Sequence, residues 1–293
     1  MPEAAVLVGA PAGRARVRHR SWTRFLRRRT AVAGGFLALI FLGAMAGAGW
    51  IAPYPPTAVD YDHTLAPPSP AHPAGTDDFG RDILTRLIYG SRYSLGMGLG
   101  ATCIGAVAGA SWGIASAFYG GVIDNVSMRI VDVMLAFPGI LLAIAIVAVL
   151  GVGMVNVIIA VGVYTVPTFA RLVRGPVMAA LNQEFVHAAR AVGAGNARIM
   201  FRHLLPVALP SIIVYVTLRI GTAVLTAGSL SFLGLGVQPP TPEWGAMLAG
   251  ARLFLNVAPH MVIAPGVAIS LAVLGFNLLG DGMRDALDPR LRD

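Results

Sequence analysis

Apolar residues gather along this chain in six runs, approximately Ala31 to Ile51, Tyr93 to Tyr119, Val133 to Leu150, Met154 to Val173, Val207 to Ser229 and Pro259 to Leu279. An α-helix rises 1.5 Å per residue, so about 20 residues cross the hydrocarbon core of a bilayer. Each run is near that length, and together they predict an all-α integral membrane protein with six transmembrane helices. The third and fourth runs are parted only by Gly151 to Gly153, which leaves room for a reversal and nothing longer.

The polar stretches between the runs carry patterns of their own. The first begins APYPPTAVDYDHTLAPPSPAHPAGTDDFGRD, and its six prolines before Pro73 forbid regular helix and central strand. An extended cap over one membrane face is expected there. From Asp78 to Tyr89 the spacing turns helical, with Phe79, Ile83, Leu87 and Ile88 on one face and Arg81, Asp82, Thr85 and Arg86 largely on the other. Thr76 is placed to cap this helix, which would lie along the interface before the second span. Before the third span, Asp124, Met128, Arg129 and Asp132 fall at helical spacing and Pro138 bends the entry; a short surface helix is predicted. Within the second span, Gly96 and Gly100, then Gly105, Gly109 and Gly113, recur every four residues. Small residues at this spacing let helix backbones approach in lipid, either as fixed packing or as a sliding surface.

Composition agrees with a bilayer as solvent. Hydrophobic residues make up 56% and charged residues 12%, with mean hydropathy +0.71, whereas about a quarter of a soluble domain is charged. The net charge of +8 does not point to nucleic acid, because eight of the 22 Arg lie between Arg14 and Arg29, just ahead of the first run. With the N-terminus inside, the inner segments hold 17 Arg and the outer ones four (Arg81, Arg86, Arg92 and Arg252). The positive-inside rule therefore selects N-in, C-in. The first run has the basic flank and small residues of a secretory signal, but it is long for one, and its removal would put the loop after the fourth span outside; a retained span is expected. The chain has no Lys, and the phosphate-binding loop of P-loop ATPases requires one, so it is not itself an ATP-driven motor. Cys103, the single cysteine, reads as a small buried residue.

The segment from Glu184 to Pro210, EFVHAARAVGAGNARIMFRHLLPVALP, is a polar helical insert between two apolar runs. Ala188 and Ala189 keep one face small, as a helix seated in another protein's groove requires, and Gly193 removes a side chain where the chain turns. Glu184, His187, Arg190, Arg198 and Arg202 surround this helix as polar contacts, and Pro206 suits the first turn of the next span. Ala-Ala, three residues, Gly, eleven residues, Leu205-Pro206 resembles the loop that import permeases of the ATP-binding-cassette (ABC) class insert into their ATPase subunits; His187 and His203 depart from that pattern. GTDDFGRDILTRLIYGSRYSL (75–95), SLSFLGLGVQPPTPEWGAML (229–248) and FNLLGDGMRDALDPRLR (276–292) extend the likeness, which covers most of the chain from about Arg20. The sequence resembles the DppC/OppC family, the second permease subunit of dipeptide and oligopeptide ABC importers, whose relatives also move nickel or glutathione.

The resemblance implies the type I ABC importer permease fold, delivery of cargo by an extracytoplasmic binding protein, a homologous DppB/OppB-like permease alongside, and two cytoplasmic ABC ATPases that use ATP and Mg. It assigns Glu184, His187, Ala188, Ala189, Gly193, Arg198, Leu205 and Pro206 to ATPase coupling. No cofactor is expected on this chain and no nucleic-acid partner. The expected layout is a basic cytoplasmic segment (1–30), a six-span permease domain (31–280) and a cytoplasmic tail (281–293). Its outer loops are placed at about 52–92 and 230–258, and the coupling loop at about 174–206, in a bacterial cell membrane.

Catalytic and metal readings find little. None of the six His pairs with another at i, i+3 or i, i+4; His63 and His72 would share a metal only if the Pro-rich loop folded back. Ser91, Ser94 and Ser111 lack an acid and base at recognisable spacing. Arg219 stands near the middle of the fifth run, whose own residues include no acid. A cation there costs several kcal/mol unless it faces protein or water. Two readings fit: it lines the cargo pathway, or it bonds backbone carbonyls or a partner subunit. Asp77, Arg81 and Asp82 in the first outer loop, with Gln238, Glu243 and Trp244 in the second, are candidates for binding-protein contact or an outer gate; Trp244 also suits simple interfacial anchoring. An ion-driven secondary transporter would show several intramembrane acids or broken helices at related positions, and neither is found.

Overall fold

The computed structural model describes residues 28–287. The basic stretch from Arg14 to Arg27 and the tail carrying Arg290 and Arg292 lie outside the described residues. Helix α1 (Arg29–Ile51) ends where Pro53 disfavours the α conformation of the residue before it, and Ala52 is extended. The chain then crosses the Pro-rich segment with one short 3-10 turn, Tyr61–His63.

Helix α2 (Ile83–Tyr119) has 37 residues and so runs about 55 Å. It joins two expected pieces, the interfacial helix and the second span, into one rod. Its start also differs from expectation. Asp82, not Thr76, caps it, accepting from the Thr85 backbone N–H at 2.7 Å. Residues 77–81 form a turn instead, because the Asp77 carboxylate takes the N–H groups of Phe79 and Arg81 at 2.9 and 3.0 Å and Gly80 adopts φ +70°, a combination that competes with helix. Thr76 is buried in the cap, where its hydroxyl accepts from the Ala66 N–H at 2.9 Å.

Helices α3 (Gly121–Ala136) and α4 (Gly139–Leu150) meet at Phe137-Pro138 with a 91° bend. At 12 residues, α4 spans only about 18 Å. Then come α5 (Met154–Leu181), α6 (Glu184–Ala191), a rod from Asn196 to Phe232 designated α7, α8 (Trp244–Ala251) and α9 (His260–Leu287). Five of these helices are long and apolar enough to cross a membrane, and the α3–α4 pair makes six.

Glycine positions set the closest helix contacts. A Cβ on Gly109 would stand 2.4 Å from the Val166 carbonyl and one on Gly113 2.3 Å from that of Ala170, so the glycine face of α2 lies directly on the α5 backbone. Close backbone packing is the geometry found. Gly34 meets the Leu279 backbone and Gly275 meets Leu37 in the same way, drawing α1 onto α9, and Arg28 closes that pair on Asp285 at 2.6 Å. Helix α3 is tied to α5 by Arg174, which donates to both oxygens of Asp124 at 2.7 and 2.5 Å, and by Arg171 on Asp132. Those acids therefore pair across helices and not along α3. Cys103 is exposed on α2, contrary to the buried reading.

Candidate functional site

Three groups of residues named from the sequence fall at three levels of the bundle. At one end, the α5–α7 connection carries α6. Its sequence EFVHAARA puts Val186 and Ala189 on one side, and both are buried with Ile199, Leu204 and Val177. Ala189 thus seats the helix on its own bundle. The small face expected for a partner is split, and only Ala188 points outward with Glu184, Phe185, His187 and Arg190. Arg190 lies over the Phe118 ring at 5.6 Å, fixing the tilt of α6 against the end of α2.

The turn after α6 is a Schellman motif: the Ala194 N–H donates to the Ala189 carbonyl at 3.0 Å and the Gly193 N–H to that of Arg190 at 2.9 Å. Gly193 holds φ +77° with nothing within 4 Å of its missing Cβ, so glycine is needed here for its backbone, and the space beside it is open. Val192 next to it is 83% exposed and Phe185 38%. Sequence reasoning missed these two apolar residues at the tip; an apolar side chain in a polar insert was the available signal. Arg198 is exposed, Leu205 half-buried and Pro206 exposed. Pro206 does not open a free helix end, since α7 already runs from Asn196; a π-helical turn over Ile199–Leu204 widens the coil just before it.

Midway along α7, Arg219 is half-buried, with its guanidinium carbon 5.6 Å from the Tyr164 ring centroid and 5.8 Å from that of Tyr215. Among the described residues no carboxylate forms an ion pair with it. Two ring faces attract the cation in its place. Tyr164 was not singled out from the sequence, because it comes from another span.

At the opposite end of the bundle from α6, the six outer residues divide sharply. Glu243 and Trp244 are 0% and 1% exposed, and Asp77 and Asp82 are buried as well, so these four offer no surface to a partner in this conformation. Trp244 is not an interfacial anchor either. Glu243 caps α8 by accepting from the Ala246 N–H at 2.8 Å and takes a second hydrogen bond from the Ser94 hydroxyl at 2.8 Å; burial pushes its carboxyl above the ordinary value. The Trp244 indole N–H donates to the Leu87 carbonyl at 3.0 Å. Arg81 pairs with Asp77 at 2.7 Å, and Gln238 donates to the Gly234 and Gly236 carbonyls of its own loop at 3.0 Å each.

Arg86, placed on the solvent face by the sequence pattern, is buried. It joins Asp77 (3.4 Å) to the carbonyls of Pro56 (3.0 Å) and Pro240 (3.4 Å), so it ties the two outer loops together. The Pro-rich loop does fold back: the rings of His63 and His72 are 6.2 Å apart, each with Nδ1 on an aspartate, Asp60 and Asp82 respectively.

Comparison with known proteins accounts for this arrangement. Residues 83–293 match the family described as the binding-protein-dependent transport system inner membrane component, and residues 18–68 match the N-terminal transmembrane domain of oligopeptide transport permease C. The chain belongs to this family. The permease is 48% identical over 272 residues to the glutathione transport system permease protein GsiD of Pectobacterium atrosepticum, covering 92% of this chain and 90% of that one. It is 50% identical over 275 residues to GsiD of Escherichia coli O1:K1, covering 94% and 91%. Its fold is that of the inward-facing MetNI methionine ABC transporter, with a TM-score of 0.55 at 21% identity, over 70% of this chain and 98% of the other. It is a multi-pass inner-membrane permease of the ABC importer class.

Proposed function

We propose that this permease moves small peptides, glutathione among them, from an extracytoplasmic binding protein into the cytoplasm, with a homologous permease completing the pathway. Two cytoplasmic ATPases supply the work, using ATP and Mg. The reading is carried by α6, an outward-facing helix held by its own buried Val186 and Ala189 and ended by an open glycine turn. Force applied to it passes without a break into α7, because Ile199 and Leu204 lock its seat to the start of that span. Glu184, His187, Ala188, Gly193 and Arg198 present the contact; Ala189, Leu205 and Pro206 support it. The cargo is inferred from the GsiD relatives, and Arg219 is assigned to the pathway, where it attracts an anionic group.

The test is reconstitution of the full complex in proteoliposomes with Ala188→Trp. Ala188 is exposed and helical, so tryptophan fits the isolated chain but overfills a partner's groove. ATP-dependent uptake of glutathione by the wild type, with cargo-stimulated hydrolysis at least about tenfold lower in the variant, is the expected result. Unchanged stimulation would remove α6 from coupling, and uptake that follows an ion gradient without ATP would overturn the importer assignment.

A further inference from the structure

Arg219 is one of five polar residues on a single face of α7. Tyr215, Arg219, Thr222, Thr226 and Ser229 follow one another at steps of four, three, four and three residues, a strip about 21 Å long. All five are half-buried, whereas Leu225 beside them is 50% exposed and Ala223, Ala227 and Leu230 on the inward side are buried. A strip of this length turned to lipid would expose a cation and hydroxyls to hydrocarbon, which is costly. It must meet water, cargo or another chain.

The hydroxyls have a defined polarity. Thr222 donates to the Arg219 carbonyl at 3.0 Å, Thr226 to that of Thr222 at 2.9 Å and Ser229 to that of Leu225 at 2.8 Å. Each has spent its proton on its own helix, so lone pairs remain on the outer side. Such a row accepts from N–H groups and offers none in return. Tyr164 of α5 borders it, its hydroxyl 3.4 Å from Thr226, and also holds the guanidinium. The strip therefore has one fixed cation and a run of acceptors beside it.

We propose that this face of α7 binds cargo directly, with Arg219 taking a free carboxylate and Thr222, Thr226 and Ser229 accepting from ammonium or amide N–H groups. The matching ligand class is a short zwitterionic peptide lying along the helix. The assignment rests on the importer reading above and adds the residues that read the cargo. Because Arg219 faces two tyrosine rings and pairs with no carboxylate among the described residues, its charge stays uncompensated and an arriving carboxylate displaces no ion pair. Binding is accordingly firm enough to select and weak enough to release.

Two experiments on the assembled complex test it. With Cys103→Ser as background, Thr222→Cys, Thr226→Cys, Ser229→Cys and Leu225→Cys are treated with a water-soluble anionic methanethiosulfonate. The first three are expected to label and Leu225→Cys to resist. No labelling at the three positions, or equal labelling at all four, overturns the proposal. In the second, Arg219→Gln is expected to reduce ATP-dependent glutathione uptake at least about tenfold, the loss of one charge-assisted bond, while Arg219→Lys keeps a third or more of wild-type uptake. Equal uptake by the two variants, or failure of Arg219→Gln to co-purify with its partner subunits, assigns Arg219 to a structural contact and overturns it. A wild-type complex that takes up no glutathione refutes the cargo assignment, and the labelling pattern still decides whether the strip is a water-lined surface.

Discussion

Single buried polar residues hold the outer end of this permease together, and Glu243 is the clearest of them. Its carboxyl is fully buried, caps α8 and binds Ser94 on α2. Glu243→Gln keeps an acceptor for the Ala246 N–H without the ionisation that burial opposes; Glu243→Ala strands both Ser94 and the start of α8. Alanine is expected to cost about 1–3 kcal/mol, seen as an earlier thermal transition in detergent, and glutamine to cost little or to stabilise. The pH dependence has a definite sign. A raised carboxyl pKa in the folded state means a contribution present below the unfolded value and lost as pH rises through the folded one. The advantage of Glu243→Gln over wild type should therefore widen as pH climbs from the ordinary carboxyl range upward. A constant difference across that range would show that the Glu243 carboxyl titrates alike in the folded and unfolded states, so that burial imposes no cost on its ionisation. Arg86 shows why such residues escape a sequence reading: helical periodicity placed it on a polar face, and only the folded loop brings Asp77, Pro56 and Pro240 onto that face.

Among the elements, the apolar runs were legible because length and hydropathy in a bilayer are nearly sufficient to define a spanning helix. Their boundaries were not. The interfacial helix merged with the second span, since nothing between Leu87 and Tyr93 breaks a helix, and the start moved to Asp82 because side-chain bonds from Asp77 and the left-handed Gly80 consume the preceding turn. The glycine spacing of α2 was visible, but which helix it meets depends on tertiary contact. That contact makes a prediction. A side chain at Gly109 has no space against the Val166 carbonyl, so Gly109→Leu must part α2 from α5 at a cost of about 1–3 kcal/mol or more. A lower yield of folded protein is expected, whereas Gly43→Leu, with open space at its Cβ, should accumulate normally. Equal yields would mean that the two helices are free to separate. For the docking loop, the polar insert and its glycine were readable, whereas the inward turn of Ala189 was not, because its cavity is built by Ile199 and Leu204 from the far side of the turn.

At the level of the whole molecule, the described helices alternate in direction, so α6 and the Arg28–Asp285 pair share one end while the Pro-rich cap and α8 share the other. From charge we propose that the α6 end faces the cytoplasm. With 17 Arg in the sequence segments expected inside and four in those expected outside, translocating the former would be opposed at several short loops at once. The paired acids do not weaken the bias, since the positive-inside rule counts Lys and Arg and not net charge. A reporter active only outside the cytoplasm, fused after Pro70, should therefore be active, and the same reporter after Arg198 silent. Removing Arg14 to Arg29 as charges, by Arg→Gln at all eight, leaves nine inner Arg against four, so orientation should persist with some loss of insertion efficiency. Inversion in that variant would show that the first flank alone sets topology. Activity of the Arg198 fusion in the wild type would place α6 beyond the reach of any cytoplasmic ATPase, and the coupling assignment would fall with it.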